Sequence, residues 1–382
     1  MLRTQYEGPL TARRTDVEAV AALATSVFRS NGGDMGAEYP LLFHPRRGRQ
    51  LHIMTRNGAP VSLVGMTVND VVMYGCRTKV ACIGSVCTAQ EHRGKGLAGK
   101  LVDAAAVAAR RARATVMLIS GGRSLYTRRG ASDCGVYSRC EFDAKRAARR
   151  AKGLTVQRVG HNAWRGAHAL WQAEHVRFER SLADYRLAAA QGWPVLRGGG
   201  TYVVRKAKRA VAVVTVRPKD ASTLRTIEFA GSRTAALPGL GRIGAAQGFE
   251  TVTVMCYPAD VTLVEETKRL GGDVAKRRFG GMVKLLDPRG LWRDFRRLIA
   301  RSVGTTVAKS LRVAYDADDL CIHTLRFTLG KESVELRGAQ NLTAALFGHP
   351  TRRPLGQWSK GLGSLLDHAL PLPLPLYGLN FV

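Results

Sequence analysis

The stretch "VCTAQEHRGKGLAGKLV", residues 86–102, enters as a strand, crosses a short run of glycine and positive charge, and leaves as a helix. Gly94 and Gly96 let the backbone approach a ligand with no Cβ in the way. The N–H groups at the start of a helix are unpaired within it and point outward together. With the helix dipole they make an anion site, the dipole alone contributing roughly 0.3–2 kcal/mol per charge. Arg93 and Lys95 add charge, so Arg93, Gly94, Lys95, Gly96, Leu97 and Ala98 form a cradle into which a pyrophosphate fits. No Lys-Ser/Thr follows a second glycine as in a Walker loop.

The surrounding chain has 382 residues, enough for two or three domains. Its first residues lack the apolar core of a secretory signal, and no apolar run is long enough to span a bilayer, so a cytoplasmic protein is expected. Seven scattered cysteines form no C-x-x-C pair, and their odd number argues against a disulfide framework. No metal site is expected. The net charge of +30, from 59 basic and 29 acidic residues, suits polyanionic partners: nucleic acid, anionic membrane or a phosphate-rich cofactor. The basic residues are spread along the whole chain, however, which also fits plain genomic preference for arginine and alanine.

Residues 1 to about 150 read as mixed α/β. Val17–Phe28 is apolar at helical spacing after Thr15-Asp16, which can cap it, and Asn57-Gly58 joins two strands as a hairpin. The run "DAKRAARRAKG" (143–153) reads as a solvated helix or linker. From about 154 to 288 the same order of elements recurs without sequence identity, ending in a strand in "GGMVKLL". A third segment opens with the amphipathic helix "GLWRDFRRLIARSV", continues through the hairpin "CIHTLRFTL" and "ESVELR", and ends in the apolar tail "LPLYGLNFV". Chain ends are usually polar and frayed, so this tail is expected to dock in a groove.

Other candidates have plainer explanations. "GLGRIG" (239–244) matches the dinucleotide fingerprint, but it follows a loop through Pro238 and lacks the later acidic residue. His161, His168 and His175 recur every seven residues, about 10 Å apart on a helix and too far for one ion, so they read as a packing face.

The loop resembles motif A of the GNAT N-acetyltransferases, Gln/Arg-x-x-Gly-x-Gly/Ala, with Arg93, Gly96 and Ala98 at its defined positions. The helix "LYTRRGA", Tyr126 to Gly130, resembles the Y-x-x-x-G segment of that family. The whole layout resembles the enhanced intracellular survival acetyltransferases. The resemblance implies two tandem GNAT-like α/β domains with central mixed sheets and a small C-terminal α+β domain like a sterol carrier protein. The units would be 1–150 (catalytic), 151–288 (degenerate) and 289–382, with the C-terminus returning to the active site.

The resemblance implies acetyl-CoA as co-substrate. Val86, Cys87 and Thr88 would meet its pantetheine, the loop from Arg93 to Ala98 its pyrophosphate. Tyr126 would be general acid toward the departing thiolate, and the terminal carboxylate on Val382 general base through water. The acceptor is an unidentified amine. Positive charge disfavours a polycation, although Asp34 and Glu38 in "NGGDMGAEYP" are local acids that could meet one. Alternatives are acetylation of protein lysines, or a non-catalytic basic protein that binds nucleic acid or CoA. Aromatic residues are not interleaved with the basic ones, which disfavours nucleic acid. A homo-oligomer is allowed.

Overall fold

The computed structural model describes residues 6–45, 50–318, 321–349, 354–357 and 359–381. Two mixed sheets and a small antiparallel one organise the chain. The first sheet has the order Glu7–Thr11, Leu51–Arg56, Ala59–Met73, Cys76–Thr88, Val116–Ile119, Met282–Leu285, Ala131–Ser132, with Val176–Phe178 paired at the far end of Ala59–Met73. Its one parallel pair is Cys76–Thr88 with Val116–Ile119, joined through the helix Leu97–Arg111. That helix buries Leu97, Leu101, Val102, Ala105, Ala106 and Ala109, a 3.6-residue stripe, against Met66, Ala81, Ile83, Met117 and Ile119. Each fully buried leucine contributes about 1.5–3 kcal/mol. The opposite face of the sheet is covered by Val17–Phe28, by Pro288–Val303 and by the C-terminal tail.

The second sheet repeats the plan: Asp273–Arg277, Tyr137–Asp143, Thr251–Cys256, Thr223–Gly231, Arg209–Pro218, Gly200–Lys206, Leu154–Arg158. Its parallel pair, Thr223–Gly231 with Thr251–Cys256, is again joined by a helix, Arg233–Ala246. The third sheet is the meander Arg312–Ala317, Ile322–Leu329, Glu332–Arg337, flanked by the helices Ala339–Phe347 and Leu362–Ala369. The fold is thus mixed α/β with two related sheets in tandem.

Sheet membership does not change at residue 150, and the last strand before residue 288 does not belong to the second sheet. Tyr137–Asp143 lies in the second sheet. The strand in "GGMVKLL", expected to finish the second unit, instead inserts into the first sheet between Val116–Ile119 and Ala131–Ser132. The two units exchange strands.

Three local expectations also change. The Asp16 carboxylate accepts from the backbone N–H (2.8 Å) and Nε (3.1 Å) of Arg13 rather than capping Val17–Phe28. The basic run forms the helix Ala144–Arg149, with Ala144 and Ala147 buried rather than solvated. "GLGRIG" lies inside the helix Arg233–Ala246, Pro238 included, and not after a loop. A Cβ on Gly241 would stand 2.5 Å from that of Ala147, so this glycine permits close helix packing. The Asn57-Gly58 turn has the expected left-handed pair, φ 52° and 77°.

Candidate active site

The site forms where the parallel pair of the first sheet comes apart. Val80–Ile83 pairs residue by residue with Val116–Ile119, and Ser120 N–H donates the last bond to the Ile83 carbonyl at 3.1 Å. Cys76–Thr88 then runs on with no strand beside it on that edge among the described residues. On its other edge the pairing slips between Leu63 and Gly65, the mark of a bulge. Ser85, at the bulge, has φ 50°, strained for a residue with a Cβ, and its hydroxyl is buried without a partner among the described residues. Thr88 is fixed by its hydroxyl against Ser62 Oγ (2.8 Å), which also donates to the Cys87 carbonyl (3.0 Å). Burial pushes the Cys87 thiol up to about 12, so it is no nucleophile. Val86, Cys87 and Thr88 therefore present a free strand edge beside a wedge-shaped opening.

The turn that follows has Gly94 at φ 77° and Gly96 at φ 74°. A Cβ on either would meet nothing within 4 Å, so backbone conformation, not space, calls for glycine. Gly96 is the N-cap of Leu97–Arg111, and its side-chain-free cap leaves the first amides of the helix, from Leu97 and Ala98 on, to an incoming anion. Arg93 Nε donates to the Thr88 carbonyl at 3.2 Å, fastening the loop to the strand end. Lys95 Nζ donates to the Tyr6 hydroxyl at 2.8 Å and lies 5.4 Å from its ring centre. His92, buried beneath, shares a 3.0 Å hydrogen bond with the same hydroxyl. The expected cradle residues are thus brought together on one exposed turn.

Tyr126 comes from the adjacent parallel strand: after Val116–Ile119 and Gly121-Gly122 the chain enters the short helix Ser124–Thr127. The Tyr126 ring is buried and lies over Gly121, 3.3 Å from where a Cβ would stand. Burial raises its pKa, partly offset by Arg123, so the phenol keeps its proton at neutral pH. Cradle and tyrosine follow the C-terminal ends of neighbouring parallel strands, the usual site location in open α/β sheets.

Three contributors were not read from the sequence. Arg129 packs its guanidinium against Gly99 and pairs with Asp103 at 2.7 Å, clamping the Tyr126 segment to the first turns of the cradle helix. Lys284, on the inserted strand, donates to the Arg129 carbonyl, and burial pushes its pKa down to about 8. Tyr377, in the docked tail, has a buried hydroxyl with no partner among the described residues, and burial together with Cys82, Tyr137 and Tyr126 raises its pKa. The lone glycine at 99 in an alanine-rich helix was the available signal for the first; the other two depend on distant chain segments. Val382 lies outside the described residues. Among those residues one group has metal-ligand chemistry: Asp318, Cys321 and His323, with the Cys321 Sγ 3.6 Å from His323 Nδ1.

Residues 10–133 match the family model described as an acetyltransferase (GNAT) domain. The N-terminal part of this chain is thus similar to a GNAT domain. No curated protein matches the sequence. Among solved structures, the chain shares its fold with a GCN5-related N-acetyltransferase from Kribbella flavida (15% identity, TM-score 0.64, 99% of this chain and 98% of that one). It is similar to a probable N-acyltransferase from Enterococcus faecalis (13%, TM-score 0.67, 97% and 98%). It is similar also to Eis1 from Mycobacterium abscessus (12%, TM-score 0.60, 97% and 99%). The tandem arrangement is therefore common to whole chains of this architecture. The turn from Arg93 to Ala98 lies within the matched segment, and so does Tyr126. Among the described residues no helix is long and apolar enough to cross a membrane.

Proposed function

We propose that the protein is an acetyl-CoA-dependent N-acetyltransferase that moves an acetyl group to an amine by direct attack in a ternary complex. The observation that carries this reading is the conjunction of a splayed parallel pair, a left-handed Gly94/Gly96 cradle and a protonated Tyr126 at the same strand ends.

The co-substrate supplies an activated acetyl thioester. The amides opening Leu97–Arg111, with Arg93 and Lys95, hold its pyrophosphate, and the free edge of Val86–Thr88 hydrogen-bonds its pantetheine arm. An N–H of that edge faces the charge developing on the thioester oxygen, a fixed donor where charge appears. Tyr126 gives its proton to the departing sulfur. From a phenol near pKa ~10 to a thiolate near ~8.5 this is uphill by only about 2 kcal/mol, and burial of Tyr126 adds to it. The terminal carboxylate of Val382 is the base for the amine, acting through water. The segment 289–382 serves as the carrier-like third unit that brings the C-terminus to the two-sheet core.

Calorimetric titration with acetyl-CoA and thiol release over an amine panel test the reading. Expected are one acetyl-CoA site per chain and turnover of at least one amine. Tyr126→Phe should lower kcat by 10²–10⁴-fold, the scale of a lost general acid, with acetyl-CoA affinity unchanged. Neither binding nor consumption with any amine would end it.

A further inference from the structure

The largest cavity beside the tail, about 680 Å³, is of a size that takes a small-molecule ligand. It lies between the second sheet and the segment around Glu38, and Tyr377 and Phe381 of the tail form part of its wall. Tyr377 lines the cavity, and its buried hydroxyl, with no hydrogen-bond partner among the described residues, lies within electrostatic reach of Tyr126.

Its charge is one-sided. Arg29, Arg139, Arg197, Arg217, Arg225 and Arg277 all line it, against a single lining carboxylate, Glu38. Glu38 is already spent, bound by Arg29 at 2.5 Å and Arg197 at 2.7 Å. Asp34, the other acid expected to greet a polycation, accepts from Gly36 N–H at 2.7 Å as a helix cap. Arg139 reaches Glu141 at 3.0 Å but leaves its buried Nε without a partner. Arg217 meets no carboxylate: it donates to the Pro218 carbonyl, stacks 5.1 Å from the Trp193 ring, and buries its Nε unpaired. Burial and the neighbouring Arg225 lower the pKa of Arg217, whose half-buried charge carries a cost that no carboxylate offsets among the described residues; Arg225 itself is exposed. An incoming anion relieves that cost, and a polycation adds to it.

We infer that this cavity receives the acceptor, and that the acceptor is an anionic amine: a primary amine carrying a carboxylate or phosphate that Arg217 and Arg225 bind. The inference rests on the acetyltransferase reading above, with the amine directed past Tyr377 toward Tyr126. Planar guanidinium groups bind both carboxylate and phosphate in bidentate fashion, so either acid satisfies the site.

Acetyl-CoA turnover with paired amines tests it: glucosamine 6-phosphate against glucosamine, glutamate against glutamine, with spermidine as polycation. The anionic member of at least one pair is expected to exceed its partner at least tenfold in kcat/KM. Arg217→Gln should raise KM for that member more than it lowers kcat. Arg225→Glu, at an exposed position, should cut the preference at least tenfold with acetyl-CoA affinity intact. A second measurement needs no turnover: at matched ionic strength, inorganic phosphate or citrate should raise Tm in the parent and less in Arg225→Glu. Preferred use of spermidine or of the neutral members, with no anion-dependent Tm shift, overturns the anionic acceptor and leaves the acetyltransferase standing. An anion shift without turnover of any amine keeps the anion site and removes the enzymatic reading.

Discussion

The two sheets start from one plan and end in opposite states. Each has a parallel pair joined by a helix, and each long strand carries a register slip and outruns its parallel partner. In the first sheet the opening beyond Ile83 is free and the helix start is a bare glycine turn. In the second the equivalent turn is served from within. Glu174 accepts the Gly231 N–H at 2.7 Å and pairs with Arg233, which also reaches Asp260 at 2.9 Å. A carboxylate of the chain stands where an anionic ligand would go. The opening is bridged as well: the tail donates Leu379 N–H to Glu228 on one strand and Leu376 N–H to the Tyr257 hydroxyl after the other. A duplicated ligand wedge can therefore be converted to structure with one acid, one arginine and a tail.

The largest effect should come from unplugging the second wedge. Arg180 and Glu228 form a buried bidentate pair (2.8 and 2.7 Å), and Arg180 also holds Asn380 at 2.6 Å. Arg180→Ala leaves Glu228 buried and uncompensated, at a cost of about 3–5 kcal/mol. Chemical denaturation should show that loss, and limited proteolysis a released tail; an unchanged midpoint breaks the comparison. In the first wedge, Gly96→Val forces a branched residue into a left-handed conformation and covers the cradle. It should weaken acetyl-CoA at least tenfold in calorimetry, with a fall in Tm smaller than that of Arg180→Ala, set by a left-handed strain of about 1–2 kcal/mol.

Glu174→Gln sharpens the contrast. It frees part of the second turn yet should leave acetyl-CoA binding at one site per chain, since the tail still fills the opening, while Tm falls as Arg233 loses charge compensation. The smallest effect is a pH response confined to the first sheet. His52 is buried with Nε2 unpartnered, and burial lowers its pKa from 6.5. The unfolded chain takes up that proton first, so stability is full above about pH 6.5 and falls as the pH drops toward the folded value. Tm measured between pH 7.5 and 5.5 should decline less steeply in His52→Gln.

The strand–loop–helix at residues 86–102 was legible because left-handed glycines and helix starts are written in adjacent residues. Tyr126 was legible by its spacing after the next strand, and the docked tail by its unbroken apolarity. What escaped the sequence was long-range. Nothing near Arg180 announces partners 48 and 200 residues away. Nor does "GGMVKLL" carry a mark of which sheet it joins, since either would accept four buried residues. The glycines of "GLGRIG" look like ligand contacts in one dimension and prove to be packing contacts, with strands and a helix, in three.

The inserted strand Met282–Leu285 has a consequence for how the protein is made. The edge of Val116–Ile119 stays bare until residue 285 has left the ribosome, so the first sheet cannot close while its N-terminal strands are being synthesised. Excision of residues 10–133 would expose that same edge to pairing with other chains. The segment 10–133 is thus a portion of a larger sheet that closes only with the strand Met282–Leu285 in place.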